Sequence, residues 1–126
     1  MVKVYYRNRC TSSKRAIQWL NDYDIDISKK NMQEISNDEL VNILSSTNNG
    51  ISDILRNYKK FSSYKKLKVD VLKEMTFNEA LDFLKKNTDI IQTPIIIEEK
   101  KILIGYNSEQ IRMFLPKEYR RSFLDI

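Results

Sequence analysis

Strand-like sequence is confined to the two ends of this chain of 126 residues. Near the N-terminus, the β-rich run at 2–6 and the alternating polar and apolar residues at 24–28 each predict a short strand. Near the C-terminus, two apolar runs at 94–98 and 101–104 are separated by two charged residues and predict a hairpin. Between 33 and 88 no strand signal is strong enough to count. Any sheet must therefore be assembled from these two distant ends.

Helical patterns connect the strands. The first helix is predicted directly after the first strand, so Cys10 lies at a strand-to-helix turn. Its candidate N-cap residues are Thr11, Ser12 and Ser13. A last helix is predicted after Asn107 or Ser108, either of which is a suitable N-cap, and it should stop at Pro116. Its apolar residues are Ile111, Met113, Phe114 and Leu115.

The middle of the chain, residues 33–88, carries three apolar stripes at helical spacing. They are Leu40, Val41, Ile43 and Leu44; Ile51, Ile54, Leu55 and Tyr58; and Phe77, Ala80, Leu81 and Leu84. The length of the chain favours one domain over residues 1–126. The predicted fold class is therefore α/β, with a mixed sheet in the order βαβ…ββα and a helical insertion at 33–88.

The residue types that the chain lacks argue against several functions. Cys10 is the only cysteine, so no disulfide can form within the chain, and there is no histidine for a hydrolase triad or a zinc site. We predict no metal and no cofactor. The absence of an apolar run of roughly 18 to 20 residues and of a signal-peptide pattern leads us to expect a cytoplasmic protein that contacts no membrane. We also expect a monomer, because no long apolar surface stripe is left once the core is assigned.

Positive charge is concentrated in one segment, although the formal net charge is only +5. Six cations without an intervening acid form this basic patch: Arg56, Lys59, Lys60, Lys65, Lys66 and Lys68. The interleaved aromatic residues Tyr58, Phe61 and Tyr64 make the composition suitable for phosphate contacts to nucleic acid. The alternative is a solvated helix face whose aromatic side chains point inward. A second basic group, Lys117, Arg120 and Arg121, is open to the same two interpretations.

Motifs spread from the first strand to the last helix match one known family. They are Cys10-Thr11-Ser12 with Tyr5 before it, Thr47-Asn48-Asn49-Gly50, Pro94-Ile95-Ile96-Ile97, Gly105-Tyr106-Asn107, and the run from Ile111 to Pro116. The chain resembles the arsenate-reductase-like family of the thioredoxin superfamily, and in particular its Spx branch. The resemblance covers nearly the whole chain and implies a thioredoxin-like fold.

Spx-type proteins bind the C-terminal domain of the RNA polymerase α subunit and redirect transcription under thiol stress, without binding DNA on their own. The resemblance thus implies a transcriptional regulator with this partner, and contact with promoter DNA only within the assembled complex. Gly50 falls where the family has a glycine needed for the polymerase contact, so the surface around Gly50 and the first helix is the expected docking site. The alternative role of Gly50 is to end a helix in the left-handed conformation.

Three departures from the family pattern argue against catalysis. Ser13 stands where Spx proteins commonly carry the second cysteine of a disulfide switch. Thr93 stands where arsenate reductases place an anion-binding arginine, and another family arginine aligns with Tyr58, with Arg56 nearby in the sequence. Neither threonine nor tyrosine reproduces the planar fork of a guanidinium group. We therefore expect that the protein is not an enzyme. The alternative is a monothiol oxidoreductase of the arsenate-reductase or glutaredoxin type that uses Cys10.

Cys10 is the one redox candidate. The N-terminus of the predicted helix should lower the pKa of its thiol, with help from the nearby cations Arg7, Arg9, Lys14 and Arg15. A thiolate there could form a sulfenic acid or a mixed disulfide; the alternative is a small turn residue without redox function. The residues expected to shape this site are Thr11, Ser12, Ser13, Thr93 and Pro94. Pro94 is expected to follow a cis peptide bond, as is usual in thioredoxin-like folds, the alternative being a trans proline at a strand edge.

Overall fold

The computed structural model describes residues 1–116, apart from the side chain of Tyr58. The second basic group, Lys117, Arg120 and Arg121, lies outside the described residues. Within them the strands are β1 (Val2–Tyr6), β2 (Ile27–Asn31), β3 (Ile95–Glu98) and β4 (Lys101–Ile104). The α-helices of the same region are α1 (Thr11–Asp22), α2 (Asn37–Ser45), α3 (Ser63–Leu72) and α4 (Phe77–Lys86). Over residues 1–116, every helix is too short or too polar to cross a membrane.

The chain divides into two compact units. The sheet unit comprises Met1–Lys30 and the chain from Thr93 onward, and the helical unit comprises Asn31–Gln92. The strand order of the sheet is β2-β1-β3-β4, so the two ends of the sequence meet at the β1–β3 pair. This pair is antiparallel, as is β3–β4. The predicted mixed α/β sheet is confirmed.

The core of the sheet unit is built from the apolar runs that predicted the strands. Val4 pairs with Ile96, and Ile96 pairs with Leu103, which places three buried residues in one row across the sheet. Ala16 and Leu20 of α1 are fully buried in the same cluster. Their spacing of four residues puts both side chains on one face of α1, so the helix covers the sheet.

The second strand begins later than the alternating residues at 24–28 predict. Helix α1 ends at Asp22, and Asp24 has a left-handed backbone with φ 54°. The backbone N–H groups of Asp24 and Ile25 donate to the carbonyl groups of Asn21 and Leu20. These bonds satisfy the last carbonyl groups of the helix, so residues 23–25 form its terminus and the strand can start only at Ile27.

The last helix is also shorter than predicted. The side chain of Asn107 accepts from the backbone N–H groups of Glu109 and Gln110 and so stabilises the turn that leads into the helix, whose N-cap is Glu109. However, Gln110–Phe114 form a 3₁₀ helix and not an α-helix. Pro116 disfavours a helical conformation at Leu115, which is extended (φ −64°, ψ 140°), and the remaining segment is too short for regular α-helical bonding.

In the helical unit, two of the three predicted stripes form α-helices. Ser36 caps α2, and Thr76 caps α4 in a reciprocal capping box with Glu79. The stripe at Ile51, Ile54, Leu55 and Tyr58 is not an α-helix, and this prediction was wrong. Gly50–Ile54 form a 3₁₀ helix, after which Leu55 is extended and makes a bridge with Ile91.

Candidate functional site

Cys10 itself is the N-cap of α1. Its sulfur accepts a hydrogen bond of 3.4 Å from the backbone N–H of Ser13. Thr11, Ser12 and Ser13, which the sequence offered as caps, are instead the first three residues of the helix. Ser13 is buried, and its hydroxyl oxygen accepts from the backbone N–H of Arg7 at 3.4 Å. Ser13 therefore stabilises the turn that holds the cysteine.

Thr93, which begins the second chain segment of the sheet unit, contacts the same sulfur. Its side-chain hydroxyl donates to Cys10 Sγ at 3.2 Å, and the thiol lies 3.7 Å from its carbonyl oxygen. Thr93 is buried, and the Thr93–Pro94 peptide bond is cis, as predicted. The sequence analysis expected Thr93 to help shape this site as the replacement for an arginine, but it did not predict the hydrogen bond to a residue 83 positions away.

Hydrogen bonds control the ionisation of Cys10. Burial alone raises the pKa of the thiol, but hydrogen bonds from Ser13, Thr93 and the backbone N–H of Ser12 outweigh this effect and hold the pKa below its ordinary value. The predicted direction of the shift is confirmed. The backbone N–H groups of Ser12 and Ser13 belong to the helix N-terminus that the sequence analysis named as a cause, whereas the nearby cations are not among the causes and side-chain hydrogen bonds contribute in addition. The site can therefore favour a single thiolate.

The described part of the chain offers no metal site, and the expected substitute for an anion-binding arginine has partners of its own. No cluster of three potential metal ligands occurs within residues 1–116. Arg56, the nearest sequence substitute for a family arginine, belongs to the helical unit. There its guanidinium group donates to the carbonyl oxygen of Asp89 at 3.1 Å and lies 5.8 Å from the ring of Phe61.

Gly50 lies in the helical unit at the rim of an apolar groove. The groove has a volume of about 570 Å³. Its lining residues are Val41, Leu44, Ser45, Asn49, Gly50, Ile51, Ser52 and Phe77. Val41 and Phe77 belong to stripes that the sequence analysis assigned to helices, yet they are 43% and 53% exposed. An apolar concavity open to solvent is characteristic of a site that a partner covers.

The backbone of Gly50 is left-handed, with φ +68°. It does not end α2, because that helix stops at Ser45 and is capped by Ser46. Gly50 instead begins the 3₁₀ helix. A Cβ atom added at this position would meet no atom within 4 Å, so the space beside it is open.

Asp53 holds the loop that precedes Gly50. Its carboxylate accepts hydrogen bonds from the backbone N–H groups of Asn48 and Asn49 at 3.1 and 3.0 Å, and from the Asn49 side chain at 3.3 Å. The backbone bond from Asn49 is the main cause that holds the pKa of Asp53 below its ordinary value. The sequence analysis missed this residue, although an aspartate just after an Asn-Asn-Gly turn is a recognisable signal for such a bond.

The basic patch is not a single helix face. Helix α3 begins only at Ser63, so Arg56, Lys59 and Lys60 precede it. Lys68 contacts both carboxylate oxygens of Asp89 at 3.1 Å. Of the two interleaved aromatic side chains that the structure describes, Phe61 is buried, as the alternative interpretation expects, whereas Tyr64 is 68% exposed. Arg56 and Lys68 thus already have partners within the helical unit.

The sheet unit defines the class of the protein. A four-stranded sheet in this order, with a cysteine at the β1–α1 turn and a cis-proline before β3, is a thioredoxin-like arrangement. Solved structures agree: an arsenate reductase from Vibrio cholerae superimposes with a TM-score of 0.72 at 19% identity, covering 90% of this chain and 97% of that one. An ArsC family related protein from Bacteroides fragilis gives 0.73 at 19% identity, covering 89% and 95%. At these identities the likeness establishes the fold.

The family follows from the sequence comparisons. Residues 5–114 match the ArsC family. The chain is 37% identical to a protein named global transcriptional regulator Spx from Streptococcus mutans, covering 98% of this chain and 90% of the relative. It is 36% identical to one named global transcriptional regulator Spx 1 from Lactococcus lactis, covering 97% and 94%. This chain belongs to the ArsC family, and its resemblance to the Spx branch is confirmed.

Proposed function

We propose that this protein is a Spx-like transcriptional regulator that binds the C-terminal domain of the RNA polymerase α subunit at the groove beside Gly50, in the response to thiol or oxidative stress. The observation that carries the proposal is the open apolar groove with a left-handed glycine at its rim. The full-length likeness to relatives named Spx supports the same role.

The geometry of the groove suits a protein partner. A position without a Cβ atom lets a second backbone approach closely. The exposed Val41 and Phe77 side chains would stabilise a complex in which a partner removes them from water. Asp53 keeps the loop in one conformation, which lowers the entropy lost on docking.

The surroundings of Cys10 support binding over catalysis. The residue before the cis-proline is Thr93, whose hydroxyl donates to the sulfur and offers no guanidinium fork for an oxyanion. The guanidinium group of Arg56 is held against the carbonyl oxygen of Asp89.

The test is a titration of the purified α C-terminal domain with wild type, Gly50→Arg and Gly50→Ala. Arginine adds a long charged side chain at a residue that lines the groove, whereas alanine adds one carbon in open space and serves as the matched control. We expect alanine to change the affinity by less than about threefold and arginine to weaken it by roughly 30-fold, which corresponds to the loss of a central interface contact of about 2 kcal/mol.

The outcomes test the identity of the partner and the position of the docking surface separately. If the wild type does not bind the α domain, the proposed function is wrong. If Gly50→Arg binds as tightly as wild type, the partner stands and the groove is not its docking site.

A second function, thiol–disulfide exchange by Cys10 alone, is favoured by the lowered thiol pKa. The thiolate would attack a disulfide to form a mixed disulfide and release one thiolate; a second small thiol would then attack the mixed disulfide and restore Cys10. The assay is turnover of a small disulfide with glutathione, with Cys10→Ser as the control. Absence of turnover, or equal turnover by Cys10→Ser, would eliminate this function.

A further inference from the structure

Helix α3 carries an apolar row on its outer face. Tyr64, Leu67 and Val71 are 68%, 61% and 51% exposed, and their spacing places them on one side of the helix. The opposite side is anchored by the buried residues Val69 and Leu72. The sequence analysis expected that no long apolar surface stripe remains once the core is assigned. The row is short, with three residues, and it is exposed because α3 is apolar on two faces.

This row lies in a strongly cationic setting. Residues 56–73 contain seven lysines and arginines and a single acid, Asp70. At the C-terminal half of the helix Asp70 is paired with Lys73 at 3.9 Å. The N-terminal half has no acid, and the exposed Lys59 and Lys60 precede it. The excess of positive charge is therefore concentrated toward the start of α3.

The aromatic end of the row is held in one orientation. Lys68 Nζ lies 4.8 Å from the centroid of the Tyr64 ring while it binds the Asp89 carboxylate at 3.1 Å. A cation that is fixed on one side by a carboxylate stabilises the orientation of the aromatic ring on the other. The Tyr64 ring is thus preorganised for binding.

We propose that the α3 row docks an acidic amphipathic helix of a partner protein. The apolar side of such a helix would cover Tyr64, Leu67 and Val71, and its carboxylates would face the cations around the N-terminal half of α3. A second copy of this chain is a poor occupant, because it would bring the same positive charge. Three side chains also provide much less area than the roughly 800 Å² per partner of a stable dimer. Nucleic acid would match the charge but would leave the apolar row uncovered.

The experiment uses the full chain and three fluorescent probes. The first is a helical peptide with leucines spaced as on one helix face and glutamates elsewhere, the second has lysine in place of each glutamate, and the third is a 20-base-pair DNA duplex, a probe length of about two helical turns. Each is titrated with wild type, Leu67→Ser and Leu67→Met, and sedimentation measures self-association. Because Leu67 is exposed, both variants should fold, and unchanged thermal unfolding verifies this.

We expect saturable binding of the glutamate peptide, about tenfold weaker with Leu67→Ser, nearly unchanged with Leu67→Met, and at least about tenfold tighter than the lysine peptide. The proposal is overturned if the glutamate peptide does not bind, if both peptides bind equally, if Leu67→Ser has no effect, or if only DNA binds. It is also overturned if the wild type dimerises and Leu67→Ser does not. The surface includes neither Gly50 nor Cys10, so these results are independent of polymerase binding.

Discussion

Two substitutions at Gly50 separate the cost of its backbone conformation from the effect of filling the groove. With φ at +68°, any residue that has a Cβ atom is strained by roughly 1 to 2 kcal/mol. Alanine also restricts the unfolded chain, which offsets part of this cost, so we expect a net loss of about 1 kcal/mol in the free energy of unfolding. Since the Cβ atom meets no neighbour within 4 Å, no steric cost is added.

The same reasoning fixes the expected change in melting temperature. For a chain of 126 residues, a typical unfolding entropy converts 1 kcal/mol into a decrease of about 4 °C. Gly50→Arg should show the same decrease as Gly50→Ala, because the longer side chain extends into open space. Gly50→Asn should lose less, since asparagine tolerates the left-handed region better than other residues.

Calorimetry and urea unfolding of the wild type and the three Gly50 variants measure the melting temperatures and the free energies of unfolding. If Gly50→Ala unfolds like wild type, the backbone at residue 50 is not strained in the way its φ angle requires. If Gly50→Arg loses several kcal/mol more than Gly50→Ala, the groove is not open at this position. The second result would also remove the basis for using arginine as a probe of binding.

Three further predictions test other parts of the structure. Thr93→Val removes the hydroxyl that donates to Cys10, so the pH midpoint of alkylation by iodoacetamide should rise from a wild-type value below 9.0; an unchanged midpoint would show that this hydrogen bond does not stabilise the thiolate. The carboxylate of Asp53 has a lowered pKa in the folded chain, so its hydrogen bonds stabilise the loop above pH 3.8 and are lost as the pH falls through the lowered value. Amide proton shifts of the two donors should titrate with a midpoint below 3.8, and a midpoint above it would contradict the observed bonds. Leu84→Ala, at a fully buried position of α4, should reduce the free energy of unfolding by about 2 to 5 kcal/mol in urea, and a loss below about 1 kcal/mol would mean that the core around it can close.

Local signals in the sequence were sufficient for much of the fold. Short β-rich runs predicted β1 and the β3–β4 hairpin, because alternating or continuous apolar residues suit only a few backbone conformations. Apolar stripes at helical spacing predicted α2 and α4, and the structure adds the caps at Ser36 and Thr76. The family motifs, which span the chain, pointed to the thioredoxin-like class.

Several errors arose where a local pattern competed with a distant contact. The stripe from Ile51 to Tyr58 has helical spacing, yet the chain becomes extended at Leu55 because it pairs with Ile91. Leu67 and Val71 look like ordinary helix residues in the sequence. Whether they are buried depends on which side of α3 meets the core, and spacing alone gives no answer.

By itself, the sequence determined the types of most elements, the position of the single thiol at a helix start and the lack of histidine chemistry, because each depends on residues that are neighbours along the chain. Only the tertiary structure decided that Thr93 donates to Cys10, that Val41 and Phe77 leave an open groove beside Gly50, and that α3 presents an apolar row to solvent. These features join residues that are far apart in sequence or depend on which faces are covered. Burial and hydrogen bonding between such residues are fixed only when the whole chain packs.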